Sequence, residues 1–480
     1  MKNFDRIKIG FSWSLIGSFI SKIMAFGSSI FFARYMGKVS YGELGIVQGT
    51  TGLLGIFAGA GMGLTGTRYV ALLKNKDKMR ISRILGLIIV SSSFFTILFC
   101  GIILVFANTI SIQFLHNTSL SDILKLSIFL LLSNVAFEII SGILAGFEDF
   151  KSVSTGDMLR GTLLLPLAIY FTSSFGIIGA IISLAASNLL GISYLIYTLI
   201  IRLKENQIEI IFKNCLKEFG VIIDFAIPNL ILSSLPIPVM WFSTTLLTSL
   251  PNGYGELGIY NATNQFRLMI MMVPVMLGRV LLPFLTEEYS KRNMMTFGYA
   301  IEESNLATII LILPTSVLFF FLGDKIMALF GKDFTAGWIV LVGMVAGTAI
   351  SAIGSVIGSA IVATGNMWAG VMQNCLWAFV YMTIVLLKYK SQGAEALSDA
   401  FMCAHFVLLF SSIIFLKTKN LITNILFNNV ASAVLIIIIT SLMAQWMQPE
   451  LRMGVAVPAF IIVIIICYRF YFSKKFLVNE

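Results

Sequence analysis

Charge is what this sequence has least of. Only 12% of its 480 residues are Asp, Glu, Lys or Arg, while 58% are hydrophobic; a soluble domain carries about 25% charged residues. No stretch of a hundred mixed-polarity residues occurs, so there is no room for an extramembrane domain. Histidine is almost absent: His116 and His405 are far apart in sequence, and a lone histidine in an apolar segment is ordinarily packed and hydrogen-bonded rather than a ligand. The five cysteines (Cys100, Cys215, Cys375, Cys403, Cys467) are scattered, odd in number and without a CxxC pair, which offers neither a disulfide framework nor a metal site. No nucleotide-binding P-loop is present, so energy must come from an ion gradient, the membrane potential or the cargo's own gradient. Nothing calls for a cofactor.

What the chain does have is apolar length. Runs of 18 or more apolar residues recur throughout, each able to cross a hydrocarbon core. Expected spans are 11–33, 41–66, 84–106, 122–146, 157–174, 177–201, 219–247, 256–283, 300–322, 336–362, 368–387, 395–416, 424–447 and 453–471. Lipid demands that each segment satisfy its own backbone groups, so the expected fold is all-α and integral to the membrane, with about fourteen helices. A transmembrane barrel would show alternating strands of about ten residues, which continuous apolar runs exclude. Lys2, Arg6 and Lys8 precede the first run as in a signal peptide, but that run is long, contains Lys22 and has no convincing cleavage site. It reads as a retained first helix.

The net charge of +10 raises the question of a nucleic-acid partner. With the N-terminus inside, cytoplasmic segments hold about 22 of the 33 Lys and Arg residues, the opposite side about seven and the spans about four. The densest run is Arg68, Lys74, Lys76, Lys78, Arg80 and Arg83. That asymmetry is the positive-inside rule; it calls for no nucleic acid and places both termini in the cytoplasm.

One hexapeptide is repeated. Tyr41-Gly42-Glu43-Leu44-Gly45-Ile46 recurs as Tyr254-Gly255-Glu256-Leu257-Gly258-Ile259. Phe175-Gly176-Ile177-Ile178-Gly179-Ala180 corresponds at nearly the same offset to Lys390-Ser391-Gln392-Gly393-Ala394, each opening a helix, and Gly146 and Gly365 each follow a long span. Six helices separate the repeated elements, so the halves are expected to be parallel bundles at 1–204 and 205–417, with two additional helices at 418–480. Such repeats place a substrate path at the interface between bundles that rock against each other.

Ala33-Arg34-Tyr35-Met36-Gly37 with Tyr41-Gly42 after helix one, Gly61-Met62-Gly63-Leu64-Thr65 with Arg68-Tyr69-Val70-Ala71 after helix two, and Pro274 with Leu281-Leu282-Pro283-Phe284 at helix eight carry a resemblance. The chain resembles the polysaccharide-transporter branch of the multidrug/oligosaccharidyl-lipid/polysaccharide (MOP) exporter superfamily, and is most similar to Wzx-type O-antigen flippases. The resemblance covers the whole chain in helix count and repeat length, through loose motifs of glycines and aromatics at helix ends. It implies a bacterial inner-membrane protein, not an enzyme, that moves an undecaprenyl-diphosphate-linked oligosaccharide from the cytoplasmic to the periplasmic leaflet. Membrane lipid, a polysaccharide polymerase and chain-length proteins are the partners it implies.

Charges inside a bilayer cost at least a few kcal/mol each and are presumptively functional. Lys22 lies on a small, polar stripe with Ser14, Ser18, Ala25 and Ser29 at helical spacing. Arg267 lies about eleven residues into helix eight, on the stripe Tyr260, Thr263, Asn264, Arg267, Met271 and Pro274. Fixed cations in a low-dielectric cavity replace the hydration of a diphosphate, and arginine holds phosphate oxygens bidentately. The alternative is that either cation pairs with a neighbouring carboxylate or carbonyl and holds helices together. Arg34, at a helix end, matches the family motif, whereas Arg279 and Lys125 sit where snorkelling explains them.

Glu138, on a stripe with Asn134, Ser141 and Ala145, is a candidate for ion coupling or for pairing with a cation such as Lys22. Asp224 is a second coupling candidate; favourable placement near a helix N-terminus is its simpler explanation. Gly49 and Gly52 belong to a glycine stripe in helix two that permits close packing or bending, and Pro228, Pro236 and Pro238 suggest a kink in helix seven. Asn134, Asn229, Asn261 and Asn264 are dispersed polar candidates for sugar contacts.

Three alternatives stand beside the flippase. A multidrug exporter of the same superfamily usually has twelve helices and handles organic cations. A lipid II flippase shares fourteen helices but tends to carry more cations in helix one. A polysaccharide polymerase or ligase would carry a large periplasmic loop, whereas the longest expected outside loop is about residues 107–121.

Overall fold

The computed structural model describes residues 2–227, 230, 234–419 and 421–477. The protein is 89% helical, with no strand among the described residues. It splits into two compact units, Met1–Gly258 and Ile259–Glu480.

The first unit is built from α1 (Lys2–Gly59), α2 (Met62–Leu73), α3 (Lys78–Thr109), α4 (Leu120–Leu126), α5 (Ile128–Gly146), α6 (Phe150–Glu205) and α7 (Pro236–Thr248). α1 lies along α6, and α5 packs against both α6 and α2. The unit boundary falls within α8 (Gly253–Ile270). The second unit continues through α9 (Met272–Ser290), α10 (Met294–Phe321), α11 (Gly323–Met327), α12 (Trp338–Ala363), α13 (Met367–Gln392), α14 (Ala394–Thr418), α15 (Asn424–Trp446) and α16 (Pro449–Leu477). Its centre is α12, which contacts α9, α10, α14 and α15 and is buried over much of its length.

Among the described residues, ten helices, or up to eleven with a bent pair taken as one span, are long and apolar enough to cross a membrane. The chain is a multi-pass membrane protein. Two of the ten are broken. α6 alone has 56 residues, about 84 Å if straight, against a hydrocarbon core of about 30 Å. Gly37 in α1 (φ 76°, ψ 172°) and Gly176 in α6 (φ 56°, ψ −131°) leave the helical region, a backbone that glycine reaches without a Cβ clash. Both breaks fall in the gaps between expected spans.

Other expected spans are less regular than composition suggests. Span 41–66 is not continuous: α1 ends at Gly59, Ala60 and Gly61 are left-handed (φ 44° and 68°), and α2 starts afresh at Met62. An apolar run carries no sign of this corner, because its residues are apolar on both sides. Within span 219–247 the described residues include a π-helical turn, Ile222–Ala226, and α7 from Pro236. Span 256–283 bends by 42° between α8 and α9.

The basic turns carry the polar helix caps. Asp77, Asp149, Asn293 and Thr423 each accept a hydrogen bond from the backbone N–H three residues on, satisfying donors that a helix start leaves open. Ion pairs gather there too: Arg80 and Arg83 reach Glu218 at 3.0 and 2.9 Å, and Arg202 reaches Asp149 at 2.7 Å. Ile211 N–H donates to the Ser82 carbonyl at 3.1 Å, so the segment after α6 is strapped to the start of α3.

Candidate transport site

In the second unit the α8 stripe read from the sequence is a physical face. Asn264 and Arg267 are one turn apart, and Arg267 Nε donates to Asn264 Oδ1 at 2.6 Å. The guanidinium stands 5.5 Å from the centre of the Phe401 ring. Tyr260 and Tyr381, both buried, and His405 lie within its electrostatic reach. Trp377 stacks on Tyr381 with centroids 5.1 Å apart and donates through Nε1 to His405 Nδ1 at 3.1 Å. The Phe401 carbonyl oxygen is 2.8 Å from that same nitrogen. A neutral imidazole nitrogen either accepts or donates, so one tautomer satisfies Trp377 and the other satisfies Phe401. Among the described residues no carboxylate pairs with Arg267. The arrangement is a cation in an aromatic and amide setting, without a carboxylate counter-charge among the described residues.

Beside it opens a cleft of about 270 Å³ between α12, α13 and α14, which His405 helps to line together with serine, glutamine and asparagine side chains.

In the first unit Glu138 and Asn134 both face accessible space on α5. Asn188 of α6 donates to Asn134 Oδ1 at 2.8 Å and to Ser133 Oγ at 3.2 Å. Glu138 lies against the α1–α2 corner: a Cβ at Gly59 would stand 3.7 Å from its Oε2. No hydrogen bond or ion pair to Glu138 occurs among the described residues. A further charged pair lies nearby: Arg160 of α6 pairs with Asp157 at 3.6 Å and lies 4.5 Å from the Phe137 ring. Its signal was an Asp and an Arg three residues apart inside an apolar span.

Lys22 and Arg34 are exposed on α1, and neither is without a partner. α1 meets α6 closely where Gly17 faces Ser154 and Ser21 faces Gly161. Asp224 is exposed within the π-helical turn. Gly49 and Gly52 do not make a tight helix contact: a Cβ would meet only Trp241 at 3.9 Å at the first and nothing within 4 Å at the second. Pro236 occupies the first turn of α7; Pro228 and Asn229 lie outside the described residues.

The two copies of the repeated hexapeptide meet. A Cβ at Gly42 would stand 2.0 Å from the Tyr254 carbonyl oxygen, and one at Gly258 would stand 2.0 Å from the Lys38 carbonyl oxygen. Backbone touches backbone here, which is why glycine occupies both sites. Around this crossing Asn117 Nδ2 donates to Glu43 Oε1 at 3.0 Å, the Tyr254 hydroxyl donates to the Leu115 carbonyl, and His116 Nδ1 lies 3.2 Å from Thr248 Oγ1. Trp241 Nε1 of α7 donates to Thr50 Oγ1 of α1 at 2.9 Å. The contact, unlike the repeat, was not readable from the sequence.

A family model described as polysaccharide biosynthesis protein matches residues 7–288. The EPS I polysaccharide export inner membrane protein EpsE of Ralstonia nicotianae is 20% identical over 215 residues, covering 42% of this chain. The chain thus spans about half (47%) of that relative's length. Among solved structures, the lipid II flippase MurJ in an inward closed conformation aligns with TM-score 0.75 and 15% identity, over 98% of this chain and 100% of that one. An inward-facing multidrug resistance MATE family transporter of the MOP superfamily gives 0.64 at 13% identity, covering 83% and 94%. A MOP superfamily transporter from Pyrococcus furiosus gives 0.65 at 12%, covering 85% and 95%. At these identities the likeness establishes the fold, which is that of MOP-superfamily transporters.

Proposed function

The chain belongs to the polysaccharide biosynthesis protein family, and on that premise we propose that it is a flippase. Its cargo is an undecaprenyl-diphosphate-linked oligosaccharide, an O-antigen or related surface-polysaccharide unit, moved from the cytoplasmic to the periplasmic leaflet of the bacterial inner membrane. The observation that carries this reading is Arg267. It is largely enclosed, braced by Asn264 and set over Phe401, with no carboxylate partner among the described residues. A cation kept in that state at membrane depth costs free energy unless a ligand supplies the missing charge. A diphosphate does so, and a cationic drug does not.

The chain crosses the membrane fourteen times in this reading. The two helices broken at glycine each cross twice, the bent α8–α9 pair once and the 219–248 region once. Gly176 and Gly393 support two related halves, because their backbones are nearly superposable in conformation (φ 56°, ψ −131° and φ 55°, ψ −128°) although 217 residues separate them in sequence. Both termini lie in the cytoplasm. The crossing of the hexapeptide copies is then the periplasmic gate, closed here by backbone contact and by the Glu43–Asn117 and Tyr254–Leu115 hydrogen bonds. Arg267 and Asn264 of the second unit, and Lys22, Arg34 and Asn134 of the first, are the residues assigned to cargo contact. Glu138, accessible and without a hydrogen bond or ion pair among the described residues, is the group that exchanges an ion during the cycle, with Asp224 second. Gly49 and Gly52, clear of tight helix contacts, leave α1 able to bend, and Pro236 in the first turn of α7 is the matching conformational residue there. The polyprenyl tail stays in lipid, and a polymerase and chain-length proteins take the released unit.

The test is mass spectrometry of polyprenyl-linked lipids from a strain lacking this protein. Accumulation of a complete diphosphate-linked repeat unit with loss of surface polysaccharide is expected. Accumulated lipid II with lysis would reassign the cargo, and an unchanged lipid profile with drug sensitivity would replace the flippase by a multidrug exporter.

A further inference from the structure

The cleft between α12, α13 and α14 has a composition of its own. Ser351, Ser355, Gln373, Asn374, His405 and Ser412 supply its polar lining, and none of its lining residues is Asp, Glu, Lys or Arg. Ser355 and Ser412 donate to helix carbonyls at 2.7 and 2.8 Å, leaving their oxygen lone pairs as acceptors. Gln373 and Asn374 have no hydrogen-bond partner among the described residues, and neither does Ser351. Each free amide offers two donors and an acceptor. Amide and hydroxyl groups left without partners in a membrane protein are costly unless water or a ligand satisfies them. At about 270 Å³ the cleft lies near the lower limit of small-molecule sites, about 300–1,000 Å³. That suits one sugar ring and is too small for an oligosaccharide.

Its placement adds a second argument. The cleft shares His405 with the aromatic group formed by Trp377, Tyr381 and Phe401, and Phe401 carries the Arg267 guanidinium on its ring. A cation for phosphate therefore stands near an uncharged, hydroxyl-matching pocket that has His405 in its wall. We propose that this cleft is a monosaccharide subsite that reads a neutral pyranose of the cargo while Arg267 holds its diphosphate. Ring hydroxyls bond to Gln373, Asn374 and Ser351 and donate to Ser355 and Ser412. The inference rests on the flippase reading and deepens it: sugar selectivity resides in the uncharged lining supplied by α12–α14.

Gly358 lines the cleft, and a Cβ there meets nothing within 4 Å. Gly358→Leu therefore fills the pocket from a helical position without displacing backbone, and it raises helix propensity. The full chain in nanodiscs is titrated, by native mass spectrometry, with undecaprenyl diphosphate and with the glycosylated undecaprenyl diphosphate that accumulates without the protein. For Gly358→Leu, and separately for Gln373→Leu with Asn374→Leu, affinity for the glycosylated lipid is expected to fall at least ten-fold. Affinity for undecaprenyl diphosphate is expected to stay within two-fold of wild type. Unchanged binding of both lipids by both variants overturns the subsite while leaving the flippase standing. Equal loss for the two lipids also overturns it, because the cleft would then hold the lipid chain. A wild type that binds neither lipid above phosphatidylglycerol removes the flippase reading and the subsite together.

Discussion

Alanine at Gly258 is the smallest change that tests the gate. Its Cβ would stand 2.0 Å from the Lys38 carbonyl oxygen, where ordinary contact begins at 3.4 Å. The crossing must therefore open by about 1.4 Å, since neither partner atom is a flexible side-chain end. Forced overpacking of this kind costs about 1–3 kcal/mol. Applied to the closed state alone, it shifts the open–closed equilibrium by roughly 5- to 150-fold. Intrinsic helix preference works the other way, because alanine stabilises a helix interior by about 1 kcal/mol over glycine. Loss of closure is thus attributable to the crossing and not to a weakened α8. The reporter is a single cysteine at buried Ser243 of α7, in a background with the five native cysteines replaced. It is labelled from outside by an impermeant maleimide. Labelling should accelerate at least five-fold in Gly258→Ala, and Gly42→Ala should behave alike, because its Cβ would stand 2.0 Å from the Tyr254 carbonyl. Labelling and transport both at wild-type rates would show that this crossing is no gate.

The remaining predictions concern charge. Arg267→Ala and Lys22→Ala should abolish transport at normal protein levels, and Arg267→Lys should restore only a fraction, since lysine lacks the bidentate fork; wild-type flux in both alanine variants would remove these cations from the site. Glu138→Gln should still exchange cargo downhill but lose its response to an imposed pH gradient, and a retained response would move coupling elsewhere. At Asp149, burial raises the carboxyl, but hydrogen bonds from Arg202 and from Ser152 side chain and backbone outweigh it and hold the group below its usual value. A folded pKa below the unfolded one, about 3.9, gives stability that is present above that pH and lost as pH falls through the folded value. The unfolding midpoint of Asp149→Asn should therefore lie below wild type at pH 7, and the gap should narrow near pH 3; a gap independent of pH would disprove the linkage.

The spans were legible wherever hydrophobicity alone defines a helix. The expected 336–362, 395–416 and 424–447 fall on α12, α14 and α15, and the gaps at 34–40 and 175–176 contain the breaks at Gly37 and Gly176. The corner at Ala60–Gly61 and the bend after Ile270 were not legible, because backbone geometry changed there without any change in polarity. The polar stripe of Arg267 could be read because its spacing is local to one helix. The environment that makes it a site comes from Phe401, Tyr381 and His405, more than a hundred residues away, and no local pattern reports that. Gly49 and Gly52 share a stripe with Gly42, Gly59 and Gly63, yet only Gly42 and Gly63 press on neighbouring atoms, where a Cβ would stand 2.0 and 3.0 Å away. Spacing alone does not separate glycines that pack from glycines that stand clear.

Charge and sugar recognition differ in how far they can be read for the same reason. A cation in an apolar span carries a cost large enough that its presence alone asks for an explanation, so Lys22 and Arg267 stood out from a single line of sequence. Serine and threonine carry no such penalty, since a helix carbonyl can absorb a hydroxyl, as Ile437 and Ile438 of α15 do for Thr440 and Ser441, and an uncharged amide costs less than a buried charge. Only the folded chain separates hydroxyls and amides that are already satisfied from those that are not, and Gln373 and Asn374 have no partner among the described residues. A transporter that holds a common diphosphate with charge and distinguishes glycans with neutral groups can change its sugar without changing its net charge or its spans. Substitutions in α12–α14 should therefore alter which glycan is carried, whereas substitutions at Arg267 should reduce transport of every glycan alike.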